Sequence, residues 1–572
     1  MTRTSIQVPD HLWLRRLYEH WRQSANRTFI KDLETGKEAT FTEFLYEVLS
    51  HRDRLKRQLS AETLEKLQDP SEEIFIATVS GAGFDFMVLL LAIQSLGAIV
   101  VPLNSQVHLE EAHYFLGTCN ASLITSSQLA SQYAETISSS LSLPHLSFAP
   151  SNPPDLSNIE FELVQESHDD PTFSPDRGFC LLYTSGTTGP SKGVLTSCRS
   201  VLKGMENYQR GLALSPSDKW LHHAPAHWKG GFDFQLVAAY TGASIEICNS
   251  VFSPGWFWER MQNGGGITCF QASPTLLTLI QERFDCIKGQ GARQEALKGL
   301  RDIRIILTGS MRVQDCVKDS WRELLGGKEL VNLYGMTEVA GMVSMTDWTA
   351  NRPVDHCGWH NPELTVKANE SGEICVKGPL VMKRYLSGDP TVNSNALDAD
   401  GFYKTGDMGK VGPGGKIYVL GRASQDVIRS MGYKCTAADI EDPLRSYPGV
   451  SQAFVLGVDD LVMGQRVTAL LLRKTTPEAE FCLGDLKLAN LRWWLAVEKG
   501  LPAFKLPTLL RIIRSDTFTA TTDTGKPSKK KIASACFKPE DWDSKDVQVW
   551  DIATKEKFPG NRAWDWEGRS AK

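Results

Sequence analysis

The stretch Leu181 to Val194, LLYTSGTTGPSKGV, is the most informative part of the sequence, because a loop rich in glycine and hydroxyl groups directly follows an apolar run typical of a strand. Glycines permit tight turns that bring backbone N–H groups close to an anion. The residues that can form such a loop are Thr184, Ser185, Gly186, Thr187, Thr188, Gly189, Ser191, Lys192 and Gly193. A Walker loop needs Gly-Lys where this chain has Ser191. The stretch therefore predicts a phosphate-binding loop of another kind.

Length and composition narrow the class of protein. The chain has 572 residues and a formal net charge of −5, which predicts two or more domains and no general attraction to nucleic acid or an anionic membrane. Its 12 cysteines show neither a CxxC pair nor His/Cys spacing for zinc, which indicates reduced thiols. The longest apolar run, Phe86 to Ile93, is too short to span a bilayer and predicts a buried helix. We expect a cytoplasmic location, since the C-terminal Ser-Ala-Lys resembles the peroxisomal Ser-Lys-Leu signal only loosely.

Alternation of helical and strand-like segments organises the chain. Residues 40–104 read as helix, strand, helix and strand, which predicts α/β layering with parallel strands. The segment 126–178 is rich in Ser, Pro and Asp and is expected to be mostly surface loop. A glycine-dense hairpin at 401–422 marks a domain boundary near Arg422. We therefore predict an N-terminal domain at 1–421, a small α+β domain at 422–538 and a tail of unknown role at 539–572.

Four further motifs follow the loop in order: NLYGMTEVAG at 332–341, YKTGD at 403–407, the pair Gly421-Arg422, and TDTGKPSKKK at 522–531. With these motifs the chain resembles the adenylate-forming (AMP-binding) superfamily, of the acyl- or aryl-CoA ligase type. The resemblance spans residues 40–535. It implies a large N-terminal domain of layered α/β subdomains and a small, mobile α+β C-terminal lid domain.

The resemblance also implies roles for the nucleotide site. The phosphate loop from Thr184 to Lys192 holds the phosphates of ATP. Tyr334 lies against the adenine, Thr337 near the α-phosphate, and Glu338 on Mg²⁺, a hard cation that prefers oxygen ligands.

Three later residues complete this implied site. Asp407 accepts hydrogen bonds from the ribose hydroxyls, since a carboxylate is a two-oxygen acceptor. Arg422 contacts ribose or phosphate at the hinge. Lys526 is the catalytic lysine that stabilises the transition state of adenylation, whereas Lys529 to Lys531 are expected to form a solvated basic face.

The acid and thiol sites are assigned in the same way. The resemblance places the acyl pocket near His227, Trp228, Lys229, Phe232 and Gly335. It implies that His227 gates this pocket. It also places Gly432 in the tunnel through which the thiol enters. We hypothesise that Lys229 meets a polar or second carboxylate group of the substrate, although Asp233 lies one helical turn on and can neutralise it.

Two departures from the family pattern stand out. The hinge residue is either Ser424 or Gln425, because the spacing after Arg422 is one residue longer than usual. Thr308, Gly309, Ser310 and Met311 replace the common Gly-Gly-Ala-Pro segment. Neither departure removes a catalytic group.

These assignments predict an AMP-forming acid–CoA ligase that uses ATP, Mg²⁺ and coenzyme A on a small-molecule carboxylic acid. One alternative is a stand-alone adenylating enzyme that loads a carrier protein in trans. Another, of a different class, is an inactive nucleotide-binding interaction protein. Retention of Glu338, Asp407, Arg422 and Lys526 argues against the inactive protein.

Overall fold

The computed structural model describes residues 4–151, 156–164, 174–184, 191–264, 266–313, 315–349, 356–423, 426–430, 433–484, 486–521, 527–542 and 544–552. The strands are β1 (Thr4–Pro9), β2 (Thr28–Asp32), β3 (Glu38–Thr40), β4 (Phe75–Val79), β5 (Ile99–Leu103), β6 (Leu123–Ser126), β7 (His145–Ser147), β8 (Ile159–Val164), β9 (Gly178–Thr184), β10 (Lys192–Ser197), β11 (Lys219–His222), β12 (Ser244–Ile247), β13 (Cys269–Gln271), β14 (Ile305–Gly309), β15 (Val331–Tyr334), β16 (Ser344–Met345), β17 (Trp359–His360), β18 (Thr365–Ala368), β19 (Glu373–Lys377), β20 (Arg384–Leu386), β21 (Tyr403–Val411), β22 (Ile417–Arg422), β23 (Val427–Ser430), β24 (Tyr433–Thr436), β25 (Val450–Asp460), β26 (Gly464–Arg473), β27 (Leu509–Arg514) and β28 (Val547–Val549). The α-helices are α1 (Leu12–Ser24), α2 (Phe41–Gln58), α3 (Ala61–Lys66), α4 (Phe84–Gln94), α5 (Leu109–Cys119), α6 (Ser131–Leu141), α7 (Cys198–Gly211), α8 (Lys229–Thr241), α9 (Pro254–Gln262), α10 (Pro274–Asp285), α11 (Gln290–Lys298), α12 (Asp315–Leu324), α13 (Thr391–Ala396), α14 (Ala438–Arg445), α15 (Pro477–Leu483), α16 (Leu488–Val497) and α17 (Lys529–Cys536).

Two large sheets form the N-terminal part. One has the order β20-β10-β9-β5-β4-β6-β7, and the other has the order β17-β16-β15-β14-β13-β11-β12-β2-β3. Helices α1, α2, α4 and α8 share one hydrophobic core with strands of both sheets. Helix α4 is buried along almost its whole length because its sequence, FDFMVLLLAIQ, is apolar on every face. The helix predicted from its apolar run is confirmed, as are the parallel strands β4 and β5 on either side of it.

The segment 126–178 differs from its prediction as surface loop. It contains α6, β7 and β8, and β8 pairs in parallel with β1 at the N-terminus. Helix α6 buries Ala134, Ile137 and Ser138, which lie three and four residues apart on one face. That face is short and partly polar. The many serines of this segment therefore weaken the 3.6-residue spacing of apolar residues that indicates a helix.

The predicted hairpin is formed by β21 and β22, which pair antiparallel across Pro413–Gly415. It belongs to a four-stranded sheet in the order β18-β19-β21-β22. Alternate residues of β21 are buried, including Tyr403, Thr405 and Asp407. One face of this strand therefore directs three side chains of the YKTGD motif, Tyr403, Thr405 and Asp407, toward the interior.

The C-terminal part has its own six-stranded sheet. Five of its strands follow the order β24-β23-β26-β27-β28, and the sixth strand, β25, pairs with β26. Strand β28 lies in the segment to which the sequence assigned no role, and Trp550 after it stacks under the buried Arg492 guanidinium at 4.4 Å. Lys529 is not on a solvated face, because it is an ion-pair partner of Asp426 and Glu441 in the interior. No helix in the described ranges is long and apolar enough to cross a membrane.

Candidate active site

Tyr334, Asp407 and Arg422, far apart in sequence, meet where β15 ends beside the β21–β22 hairpin. The Tyr334 hydroxyl donates to Asp407 Oδ2 over 2.7 Å, and Arg422 Nε lies 2.8 Å from Asp407 Oδ1. Burial raises the pKa of the Asp407 carboxyl, while the Arg422 guanidinium and the Tyr334 hydroxyl oppose that rise. Each carboxylate oxygen has more than one acceptor position, so Asp407 can also accept hydrogen bonds from a vicinal diol such as a ribose.

Glu338 lies in the turn after β15, next to Thr337, and both are partly buried. The Tyr385 hydroxyl donates to Glu338 Oε1 over 2.7 Å, and this is the only hydrogen bond that the described residues make to the carboxylate. Oε2 is therefore available to a hard cation. Mg²⁺ is commonly held by one or two carboxylates together with substrate phosphates and water. A single carboxylate therefore fits Mg²⁺ when substrate phosphates supply the other ligands. The described ranges contain no group of three or more His, Cys, Asp or Glu that could hold a metal without such a substrate.

The turn that carries Glu338 is anchored on both sides. Met382 N donates to Glu338 O, and Ala340 N donates to Leu380 O, each over 2.8 Å. Gly341 has φ +80°, and a Cβ atom there would lie 2.9 Å from Gly204 Cα in α7. Only glycine fits this close approach of the turn to α7.

The phosphate loop joins two antiparallel strands, with Thr184 at the end of β9 opposite Lys192 at the start of β10. Thr184 Oγ1 donates to Lys192 O over 3.3 Å, which closes the base of the loop. Lys192 Nζ lies 5.4 Å from the centre of the Tyr385 ring, within the range of a cation–π interaction. The predicted residues Ser185, Gly186, Thr187, Thr188 and Gly189 lie outside the described residues.

The predicted acyl-pocket residues occupy the start of α8 and the loop before it. The His227 and Trp228 rings meet edge to face with centroids 5.8 Å apart. Lys229 forms an ion pair with Asp233 of the next helical turn, and Tyr208 donates to the same carboxylate over 3.3 Å. The Lys229 charge is thus matched within the protein.

The remaining predicted positions differ in environment. Gly335 is exposed, whereas Phe232 is 1% exposed and packs its ring edge to face on Phe86 and Phe179. Phe232 is therefore a core residue rather than a residue of an open pocket surface. The predicted Lys526 and Gly432, and both candidate hinge residues, Ser424 and Gln425, lie outside the described residues.

Sequence reasoning missed three residues that shape this site: Tyr385, Tyr403 and Tyr208. Tyr403 lies within the YKTGD motif, so its position in β21 was a usable signal. Tyr385 in MKRYL and Tyr208 in α7 have no local pattern that marks them. Their roles come from contacts with Glu338 and Asp233, which are 47 and 25 residues away in the chain.

Comparison with known proteins identifies the family. The sequence model of the AMP-binding enzyme family matches residues 17–386, so the chain belongs to this family. The family, the α/β fold class and the enzyme class predicted from the sequence are confirmed.

Relatives are similar over most of their length. A CoA ligase of Gibberella moniliformis is 27% identical over 550 residues, which cover 85% of this chain and 89% of that protein. A malonate–CoA ligase of Arabidopsis thaliana is 28% identical over 487 residues, which cover 81% of this chain and 76% of that protein. The crystal structure of ATP-bound MatB from Rhodopseudomonas palustris has a TM-score of 0.73 at 21% identity, with 91% of this chain and 98% of that one covered.

Proposed function

We propose that this enzyme is an ATP-dependent acid–CoA ligase that activates a carboxylic acid as acyl-AMP and transfers the acyl group to coenzyme A. The observation that carries the proposal is the buried Asp407 carboxylate, held between Tyr334 and Arg422 beside the turn of Glu338. Two relatives named as CoA ligases support the choice of coenzyme A as the acceptor. A carrier protein in trans is the alternative acceptor that the experiment below distinguishes.

Each of these site residues has a different role in the first half-reaction, the formation of acyl-AMP. Asp407 binds the ribose, and Lys192 contributes positive charge beside the phosphates. Glu338 would hold Mg²⁺, which when bound would offset negative charge on the phosphates. Lys526 stabilises the pentacovalent α-phosphate while the carboxylate oxygen attacks and pyrophosphate leaves. The product is acyl-AMP, whose carbonyl is then open to a thiol that releases AMP.

The substrate class follows from the charge near the acyl pocket. The sequence predicts that Lys229 meets a second polar or carboxylate group, but Lys229 and Asp233 form an ion pair that itself carries no net charge. A neutral region favours an acid whose chain carries no second carboxylate, because a carboxylate moved out of water needs an opposite charge. We therefore expect an acid other than the one in the name of the malonate–CoA ligase relative.

The test is AMP formation with MgATP across a panel of fatty, aryl and dicarboxylic acids, with and without coenzyme A. We expect AMP that depends on both an acid and coenzyme A, with monocarboxylic acids preferred. Lys526→Ala should abolish it, whereas Lys530→Ala, at an exposed position four residues on, should not.

Three results would change the assignment. Acid-dependent pyrophosphate exchange without coenzyme A turnover indicates a carrier-protein acceptor. Preference for a dicarboxylic acid refutes the argument from Lys229. Absence of AMP and of pyrophosphate exchange with every acid refutes the ligase and supports a nucleotide-binding protein without catalysis.

A further inference from the structure

Tyr385 joins two parts of the site that the motifs treat as separate. It lies in β20, opposite Val194 of β10, two residues beyond the end of the phosphate loop at Lys192. Its ring lies under the Lys192 ammonium at 5.4 Å, and its hydroxyl donates to Glu338 Oε1 over 2.7 Å. One side chain thus contacts both the lysine of the phosphate loop and the carboxylate proposed for Mg²⁺.

The position of Tyr385 is closely defined. The Asn393 side chain bonds both backbone groups of Tyr385, accepting from its N–H over 2.8 Å and donating to its carbonyl over 2.9 Å. The side chain is almost completely enclosed, with 8% of the residue exposed. A phenol has a single proton to donate. Since Tyr385 donates to Glu338, the Tyr403 hydroxyl at 2.9 Å donates to Tyr385.

This chain of hydroxyls connects the metal carboxylate to the strand that holds the ribose carboxylate. Tyr403 and Asp407 are on the same buried face of β21. Asp407 is bonded to Tyr334 at the start of the turn, and Tyr403 reaches Glu338 at its end through Tyr385. Strand β21 therefore sets the positions of both ends of the turn.

We propose that Tyr385 is a positioning residue that aims Glu338 Oε2 at the cation of MgATP and holds Lys192 beside the same phosphates. The inference rests on the proposed function. The hydrogen bond to Oε1 restricts rotation of the carboxylate, so the second oxygen needs no reordering when the cation arrives. The ring limits where the Lys192 ammonium can lie.

Tyr385→Phe tests the proposal, because it keeps the ring under Lys192 and removes only the hydroxyl. We would measure binding of a non-hydrolysable ATP analogue by calorimetry over a series of Mg²⁺ concentrations, and binding of AMP without Mg²⁺. A hydrogen bond to a charged group corresponds to a factor of about ten or more in an equilibrium constant. The half-saturating Mg²⁺ concentration should therefore rise about tenfold, while the affinity for AMP stays within about twofold.

Control variants separate positioning from general damage. Tyr447→Phe, in the C-terminal part where the ring packs on Trp494, should leave both measurements unchanged. If Tyr385 acts through Glu338, adding Tyr385→Phe to Glu338→Gln should cause little further change in Mg²⁺ dependence. An unchanged Mg²⁺ dependence in Tyr385→Phe, or an equal loss of AMP and MgATP-analogue binding, overturns the proposal.

A second variant covers the case in which Tyr385→Phe does not fold. Tyr403→Phe removes the donor to Tyr385 and should raise the half-saturating Mg²⁺ concentration about threefold, because the remaining hydrogen bond loses its polarising partner. No rise overturns the proposal. The wild-type chain separates the two hypotheses: if it binds MgATP and forms AMP while neither variant shifts the Mg²⁺ dependence, only the positioning role is wrong. If the wild type does not bind MgATP, the proposed function and this role both fail.

Discussion

Replacing Lys229 by Met should destabilise the protein strongly, because the lysine neutralises a buried carboxylate. Asp233 is 4% exposed, and among the described residues the Tyr208 hydroxyl also donates to its carboxylate. Removing one partner of a buried ion pair costs about 3–5 kcal/mol. The Lys229 side chain is 19% exposed, so we expect the lower end, about 3 kcal/mol. That is a large share of the stability of a typical domain, about 5–15 kcal/mol.

The loss should depend on pH in a defined direction. Burial raises the pKa of the Asp233 carboxyl, while the Lys229 ammonium opposes that rise. Without the lysine, this folded-state pKa rises further above the unfolded value. The folded state then binds more protons than the unfolded state, so stability increases as pH falls. The destabilisation by Lys229→Met should be full at pH 8 and smaller at pH 5.5.

Urea unfolding followed by tryptophan fluorescence at both pH values measures the effect. The matched control is the double variant Lys229→Met with Asp233→Asn, which keeps an acceptor for Tyr208 but removes the charge. It should recover most of the lost stability at pH 8. If Lys229→Met changes the free energy of unfolding by less than about 0.5 kcal/mol at pH 8, a value typical of surface substitutions, the ion-pair reasoning is wrong. A changed acid preference in the double variant would show that Lys229 also contacts the substrate.

Three further outcomes can be tested with single variants. Tyr334→Phe removes the hydroxyl that donates to Asp407, so calorimetry should show ATP binding weakened about tenfold; unchanged affinity contradicts the site. Gly341→Ala should lower acid-dependent AMP formation more than about tenfold, because the new Cβ displaces the turn that carries Glu338. Gly326→Ala, also at positive φ (+65°) but in open space, is its control, and equal effects of the two variants would contradict the argument from the close contact. Burial raises the pKa of Asp85 to about 6, so ionisation of this carboxyl in the folded state costs stability as pH rises from 4 to 6. Asp85→Asn should therefore raise the thermal midpoint by about 2 °C at pH 8 and not at pH 4, and a shift that is the same at both pH values would refute this reasoning.

Local patterns predicted those elements whose stabilising residues are close together in the chain. The apolar run from Phe86 to Ile93 predicted a helix, and the structure forms it as α4. The hairpin around Pro413–Gly415 was equally visible, because turn residues separate two strand-like runs. Helix α6 was missed because its apolar face, formed by Ala134, Ile137 and Leu141, is interrupted by polar residues such as the buried Ser138. A short amphipathic face among serines has a weak period, and its burial depends on the neighbouring elements.

Lys529 and Phe232 show a second limit of sequence patterns. Three consecutive lysines are typical of a solvated face, yet Lys529 is enclosed between two carboxylates from β22–β23 and α14. Phe232 follows a pocket motif, yet its ring completes the core between α4 and β9. In both cases the direction of the side chain depends on which element packs against it. That packing partner lies far away in the sequence.

The chemistry of this protein was readable from residue types and their order. A glycine- and hydroxyl-rich loop, a Glu after Tyr-Gly, an Asp after Thr-Gly and a lysine near the C-terminus resemble the motifs of the adenylate-forming family, and the match of the family model confirms that membership. The mutual orientation of these groups came from contacts across the fold. The Tyr385 hydroxyl donates to Glu338, and Asp233 forms an ion pair with Lys229. Such contacts join residues that only folding brings together, since hydrogen bonds and ion pairs act over a few ångströms and the spacing of residues along the chain does not encode those distances.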